Sequence, residues 1–440
     1  MNHTPSVVLL ILLLLVSVFA GACFSVSKAT AQAGDTLPLF FGVDVAIGDL
    51  EQTKQLIDNI SAYTNFFIIG CSYDYNTTTL SIISDYVYAK GLNFLVFTDD
   101  PHYPTQEWFN YASQTYGEKF MGIYFYDEAG GKQIDQAKYP AVLSAENYSD
   151  AADKYVRMMS WWLGNDTYIP SLGFVNKSSL PLFNTDYPFY TSDYALYWWD
   201  YQAGYDTVFA EFGERGGNWT YSRQLNVALC RGAATVHNTD WGVMITWSTV
   251  EPPYMESGAK LYDDMVLAYQ NGAKYIIVFD TNEGWTENVL MQEHLDAMKQ
   301  FWEYAQNNPR PQNTTNLRTA AVLPEDYAYG FRGPTDRVWG LWQADDLTVD
   351  LSSNVLKLLE VYGGSLDLTY PSANQNNLGY GQVISWNASS EQIANPISIS
   401  YDGAIYLWVI GISALAILAV AVLVVAFRNS RNSSTKKVPV

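Results

Sequence analysis

Carboxylates and aromatic residues recur together where apolar runs of this chain end. Asp44 closes Phe40–Val45, and Asp99-Asp100 with His102 follow Leu92–Thr98. A third run reads Met121-Gly122-Ile123-Tyr124-Phe125-Tyr126-Asp127-Glu128-Ala129-Gly130-Gly131. Others end in Phe209-Ala210-Glu211-Phe212, in Ile245-Thr246-Trp247 with Glu251 beyond, and in Phe279-Asp280-Thr281-Asn282-Glu283. Two carboxylates across an aromatic opening suit cleavage of a glycosidic bond. One protonates the leaving oxygen, and the other attacks or activates water. Apolar walls raise the pKa of one member, and ring faces stack on sugars.

Side-chain alternation along a strand refines the candidates. Met121, Ile123 and Phe125 are expected to face a helix layer, with Gly122, Tyr124, Tyr126 and Glu128 facing inward. Glu211 interrupts an apolar run and would be costly to desolvate beneath helices, so it too belongs at the opening. Glu128 and Glu211 are therefore the expected pair of reacting carboxylates. Asp44, Tyr126, Asp127, Trp247, Asp280 and Glu283 are expected to line the substrate site. Plainer roles stand beside these. Glu211 could pair with Arg215, Arg223 or Arg231, and Asp127-Glu128 could cap the following turn. Asp44 and Asp280 could be loop or cap residues, and Trp247 could be core.

Other chemistries find little support. His3 leaves with a leader, His237 follows a helix, His294 lies within one, and His102 alone makes neither a zinc site nor a triad. The sequence has no Gly-x-Ser-x-Gly elbow and no phosphate loop. No metal and no cofactor are expected, with calcium on loop carboxylates left open as the one alternative. A net charge of −21 argues against nucleic acid as a partner.

The elements that must position these residues alternate strand and helix, the signature of a parallel sheet. Expected strands are Phe40–Val45, Asn65–Gly70, Leu92–Thr98, Phe120–Tyr126, Asp206–Phe212, Trp241–Trp247 and Tyr275–Asp280, with one more in Tyr168–Phe189. Expected helices are Leu50–Ala62, Leu80–Lys90, Ala151–Leu163, Asp193–Ala203, Tyr221–Ala234, Gly258–Asn271 and Asn288–Gln306. Eight such units over 34–308 match an α/β chain folded as a (β/α)8 TIM barrel. A doubly wound open sheet is the rival, but no glycine-rich fingerprint follows the first strand. A break at Asn307-Asn308-Pro309-Arg310-Pro311 opens a small C-terminal α/β appendage at 309–373, with Thr319–Leu323, Leu351–Tyr362 and Leu366–Tyr370 as its elements. The Asn-, Ser- and Gln-rich stretch 374–402 reads as a stalk.

Residues 1–33 carry an apolar run and small residues suited to a removed export signal. Residues 403–427 are uncharged and long enough for one transmembrane helix. The basic tail 428–440 follows, which places it in the cytoplasm and the rest outside a cell membrane. Eight sequons fit export: Asn59, Asn76, Asn147, Asn165, Asn176, Asn218, Asn313 and Asn387. Cys71 and Cys230 could form a disulfide or remain packed thiols.

The Tyr124-Phe125-Tyr126-Asp127-Glu128 segment resembles the acid-bearing fourth strand of TIM-barrel glycoside hydrolases, which implies the acid/base role for Glu128. In many members the nucleophile follows strand seven; here that strand ends Thr246-Trp247-Ser248-Thr249, and Glu251 is late. The blocks Thr191-Ser192-Asp193-Tyr194-Ala195-Leu196-Tyr197-Trp198, Arg231-Gly232-Ala233-Ala234, Trp241-Gly242-Val243-Met244-Ile245-Thr246-Trp247 and Trp339-Gly340-Leu341-Trp342 resemble those of uncharacterised archaeal membrane-anchored barrel proteins. From Val322 the chain loosely resembles the flavodoxin-like appendage of some barrel β-galactosidases. Together these imply a cell-surface hydrolase acting on external carbohydrate. The alternative is a catalytically silent barrel that binds surface polysaccharide or an envelope partner.

Overall fold

The computed structural model describes residues 38–47, 49–70, 76–100, 103–164, 187–213, 219–249, 251–310, 315–373, 377–389 and 393. The expected leader, the apolar segment 403–427 and the tail lie outside these residues. So do His102, Cys71, Arg215 and the sequons at Asn165, Asn176, Asn218 and Asn313. Among the described residues, no helix is long and apolar enough to cross a membrane.

Eight parallel strands close on themselves: β1 Phe40–Val45, β2 Phe66–Ile69, β3 Asn93–Thr98, β4 Phe120–Phe125, β5 Phe189–Asp193, β6 Thr207–Phe212, β7 Asp240–Ile245 and β8 Tyr275–Phe279. β8 returns to β1 with Phe40 opposite Tyr275 and Asp44 opposite Phe279, which excludes the open sheet. Near-continuous apolar runs suit strands covered on both faces. One face meets the helices. The other packs Phe66, Ile68, Leu95, Tyr124, Phe209 and Ile277 into the barrel axis. The interior is thus filled, and ligand space remains only where strands end.

The helices α1 Leu50–Ile60, α2 Thr77–Ala89, α3 Gln106–Thr115, α4 Ala129–Gln136, α5 Tyr148–Trp162, α6 Tyr197–Ala203, α7 Trp219–His237, α8 Gly258–Gln270 and α9 Gln292–Asn307 surround the sheet. Side chains of Asp49, Asn76, Thr105, Asn147 and Ser257 accept from the first free amides of α1, α2, α3, α5 and α8. Sequence reasoning missed α3 and α4 and displaced β5. β5 occupies Phe189–Asp193, so Asp193 ends a strand instead of starting a helix. Its polar Thr191, Ser192 and Asp193 disguise it, yet all three are fully buried. β4 also departs from simple alternation. Register slips so that Phe94 faces Phe120 while Leu95 faces Gly122, and Met121 packs inward, not toward the helices.

A second sheet of order β10-β9-β11 joins Thr319–Val322 (β9), Leu366–Thr369 (β10) and Gln382–Ser385 (β11), all parallel, with α10 Asp346–Tyr362 beside it. β11 lies within the expected stalk, where Val383-Ile384 is one of several apolar interruptions of the polar composition. The appendage is fused to the barrel. A Cβ on Gly232 of α7 would stand 2.4 Å from the Leu368 carbonyl oxygen, so helix and strand backbones touch. Buried Asp367 accepts from barrel Arg231 at 2.7 Å, from Arg318 at 2.5 Å and from the Tyr380 hydroxyl at 2.8 Å. Removing the acid would strand two guanidiniums. Asp367→Ala is therefore expected to cost about 3–5 kcal/mol, read from urea unfolding of the purified protein. A loss below about 1 kcal/mol would show that the junction does not depend on this cluster.

Candidate active site

The C-terminal strand ends enclose a cavity of about 650 Å³ whose acids are Asp44, Asp127, Glu128, Glu211 and Glu283. Among the described residues lining it, Lys132 is the one cation. Asp44 points inward from β1 and is 5% exposed. Its Oδ1 meets no hydrogen-bonding partner among the described residues. Burial, then the Asp127 charge, holds its carboxyl well above the usual range.

Asp127 follows β4. The Tyr124 hydroxyl donates to its Oδ1. Burial and the neighbouring Glu128 charge push its carboxyl up to about 7, against the opposing pull of Lys132 and Tyr124. Glu128 adopts left-handed backbone with φ 54° at the N-cap of α4, and its side chain makes no cap hydrogen bond. The cap is supplied by Asp193 of β5, which accepts from the amides of Gly130 at 2.5 Å and Gly131 at 2.8 Å. A Cβ on Gly131 would strike the Tyr194 ring at 2.1 Å, so this close docking requires glycine. One turn along α4, Lys132 donates to the Asp127 carbonyl oxygen at 2.8 Å and lies 3.5 Å from the Glu128 carboxylate.

Glu211 reaches the same cavity from β6, 5% exposed, and accepts from the Ser192 hydroxyl at 3.0 Å. Two arginines considered as its partners are engaged elsewhere: Arg223 with Asp264 at 3.1 Å and Arg231 with Asp367 at 2.7 Å. One carboxylate oxygen from each of Asp127, Glu128 and Glu211 lies within 4.8 Å of the others. Acids far apart in sequence thus converge above one hollow.

Trp247 and Glu283 line the cavity as well, with Phe97, Phe279 and Trp285. The Trp247 indole N–H donates to the Thr281 carbonyl oxygen at 2.7 Å, which fixes its ring beside Trp285 at 6.3 Å. Two expected lining residues fall elsewhere. Tyr126, with φ 55°, turns out of the strand pattern and packs against Trp162 under the helix layer. Asp280 is fully buried and accepts from the Val289 amide at 2.7 Å, the Leu290 amide at 2.8 Å and Asn288 at 2.9 Å. It closes a loop instead of facing substrate. Sequence reasoning also missed Lys132, Ser192 and Trp285. The four-residue spacing of Glu128 and Lys132 on a helix was the available signal for the lysine. Cys230 is a free, buried thiol.

No protein-family model matches this sequence, and no curated protein matches it. Among solved structures, the fold is similar to the catalytic module of a family 98 glycoside hydrolase from Streptococcus pneumoniae, at 10% identity and a TM-score of 0.43, covering 84% of this chain and 68% of that one. It is also similar to a β-1,4-D-mannanase from Cryptopygus antarcticus, at 9% identity and a TM-score of 0.38, covering 63% and 93%. A citrate synthase is similar at 11% identity and a TM-score of 0.32, covering 62% and 96%. These likenesses include a synthase as well as hydrolases, so a functional reading has to come from the site's own geometry.

A carboxyl whose folded pKa is raised binds more protons folded than unfolded. Its contribution is fully present at acid pH and is lost as pH rises through the folded value, here about 7 for Asp127. Asp127→Asn removes that loss. The variant is expected to gain on the parent protein as pH rises from 5 to 8, reaching on the order of 1 kcal/mol or more in urea unfolding. A gap that shrinks with rising pH would contradict a proton held on Asp127.

Proposed function

We propose that this barrel cleaves glycosidic bonds of external glycans with retention of anomeric configuration. The observation that carries the reading is that one carboxylate oxygen from each of Asp127, Glu128 and Glu211 lies within 4.8 Å of the others in an aromatic-walled cavity. Retaining enzymes hold their two carboxyl groups about 5–5.5 Å apart, whereas inverting enzymes leave roughly 6.5–9.5 Å for a water. The expected pair was Glu128 and Glu211. The proton-donor role is better supported for Asp127, whose carboxyl is pushed up to about 7 and keeps its proton near neutral pH.

Asp127 gives its proton to the glycosidic oxygen as the bond to the leaving sugar breaks, and Glu211 forms an ester to the anomeric carbon. Water, giving a proton back to Asp127, then attacks that carbon and frees Glu211. Ser192 holds Glu211 in position through the 3.0 Å hydrogen bond. Glu128, paired with Lys132, keeps negative charge beside Asp127 and so keeps its proton in place. Trp247 and Trp285 offer ring faces for sugar stacking. The apolar stretches at 1–33 and 403–427 support an exported barrel tethered to the cell membrane, with its site toward external carbohydrate.

The purified protein is expected to turn over at least one member of a glycan panel and to release product of unchanged anomeric configuration by proton NMR. Glu211→Gln and Asp127→Asn should each lower kcat by about 10²–10⁴-fold, and Glu128→Gln by less. Turnover that survives both of the first two substitutions would sink the reading.

A further inference from the structure

Behind the wall of the site, two acids that the proposed mechanism does not use meet in the interior. Asp193 ends β5 and Asp200 lies on α6, and both are fully buried. Their side chains are hydrogen-bonded to each other. We infer that Asp193 and Asp200 share one proton, and that this proton makes Asp200 a positioning residue for Asp127 and Glu128.

Hydrogen-bond chemistry makes the first argument. An ionised carboxylate only accepts, so a bond between two acids requires a proton on one of them. Asp193 is the charged member. Its oxygens accept from the amides of Gly130, Gly131, Tyr194 and Ala195 at 2.5–3.0 Å. Asp200 carries the proton. Its Oδ1 accepts from the Tyr155 hydroxyl at 2.7 Å, and its Oδ2 meets no protein donor among the described residues. A buried oxygen without a donor is costly unless it is itself the donor. Burial, then the Asp193 charge, accordingly holds the Asp200 carboxyl well above the usual range.

The place of Asp193 makes the second argument. Gly130 and Gly131 lie in the first turn of α4, and the residues that lead into it are Asp127 and Glu128. Asp193 supplies the cap that the Glu128 side chain does not. A Cβ on Gly130 would stand 2.9 Å from Asp193 Oδ2, so cap and helix meet without slack. The Asp193 charge also bears on Asp127 and helps to hold its proton. An ionised Asp200 would repel Asp193 from these amides, and the turn that presents Asp127 would lose its anchor. The proton on Asp200 prevents this.

The titratable neighbours do not compete for this proton. Tyr139 ahead of α5, Tyr155 on α5, Tyr194 and Tyr205 flanking α6, and Cys230 on α7 are pushed up by burial and stay neutral. Lys132 on α4 is a cation that bears on Asp193 as well as on Asp127. The shared proton stands without the hydrolase reading; its effect on turnover rests on that reading.

Infrared spectra of the full-length protein read the proton directly, since a neutral carboxyl has a carbonyl stretch that a carboxylate lacks. One such band should vanish in Asp200→Asn; if none is lost, the shared proton is overturned. The same variant should retain the parent kcat, because its oxygen takes the Tyr155 hydroxyl and its amide nitrogen donates to Asp193. Asp200→Ala has neither group and should lower kcat by about 10²-fold, the scale of a misplaced catalytic group, with KM unchanged. Leu358→Ala, a truncation of a buried side chain on α10, should lower stability and leave kcat as it is. An equal loss of kcat in Asp200→Asn, or a matching loss in Leu358→Ala, overturns the positioning role. The Asp127 band, assigned by its loss in Asp127→Asn, should titrate at lower pH in Asp193→Asn, because a neighbouring negative charge is gone. An unmoved titration overturns the coupling whether or not a glycan is turned over. Circular dichroism confirms that each variant is folded, and the Asp200→Asn band stands without the others. A lost Asp200 band and a moved Asp127 titration in a protein that turns over no glycan would leave the pair standing and remove the hydrolase reading.

Discussion

Everything at the barrel mouth depends on carboxylates being forced together where water is scarce. Two full charges about 5 Å apart at an effective dielectric near 20 repel by roughly 3 kcal/mol. Free side chains would move apart, but Asp44 and Glu211 ride on β1 and β6 of one closed sheet, and Asp127 is held two residues past the end of β4. The strands cannot separate without breaking their ladders. Repulsion is therefore relieved locally, by the Tyr124 and Ser192 hydroxyls and by Lys132, while burial and mutual charge hold the Asp44 and Asp127 carboxyls above the usual range. Such a cluster is stability given up for chemistry, as functional sites commonly require.

β5 is what makes the arrangement rigid. Three successive side chains of this strand serve three neighbours. The Thr191 hydroxyl donates to the Tyr126 carbonyl oxygen at 2.9 Å, the Ser192 hydroxyl donates to Glu211 at 3.0 Å, and Asp193 receives the first amides of α4. Asp193 also accepts from the Tyr194 and Ala195 amides at 2.7 and 3.0 Å. A buried acid at a helix N-terminus meets both free N–H groups and a favourable dipole. These contacts offset a burial that still lifts its carboxyl to about 6. One polar strand thus fixes the β4 loop on one side and the β6 acid on the other.

Much of this was legible in the sequence because a barrel converts linear position into location. An acid that ends an apolar run falls at the mouth end of the barrel, and Asp44, Asp127, Glu128 and Glu211, expected there, line the cavity. The boundaries of β1 were read correctly because its run is apolar apart from Gly42 and Asp44. β5 was hidden for the opposite reason: its last three residues, Thr191, Ser192 and Asp193, are polar and satisfied by partners that sequence does not reveal. Asp280 was misread because an acid just past a strand can serve the cavity or its own loop, and only the positions of the Val289 and Leu290 amides decide between them. Lys132 was overlooked because α4 itself was not recognised.

The misplacement of Tyr126 has a more specific origin. Period-two alternation holds only while the backbone stays extended. After Phe125 the chain takes left-handed conformations at Tyr126 and at Glu128, with φ of 55° and 54°. L-residues avoid this region, at a cost of order 1–3 kcal/mol each, unless the surroundings over-determine it. Here the Tyr126 amide donates to the Thr98 carbonyl oxygen at 3.1 Å and the Glu128 amide to the Ser192 carbonyl oxygen at 2.9 Å, pinning both turns. The two reversals flank Asp127. They swing the Tyr126 ring out toward Trp162 and leave Asp127, not Tyr126, to join Tyr124 at the cavity wall. The strain is therefore tied to a result: it puts a proton-holding acid where regular alternation would have put a phenol.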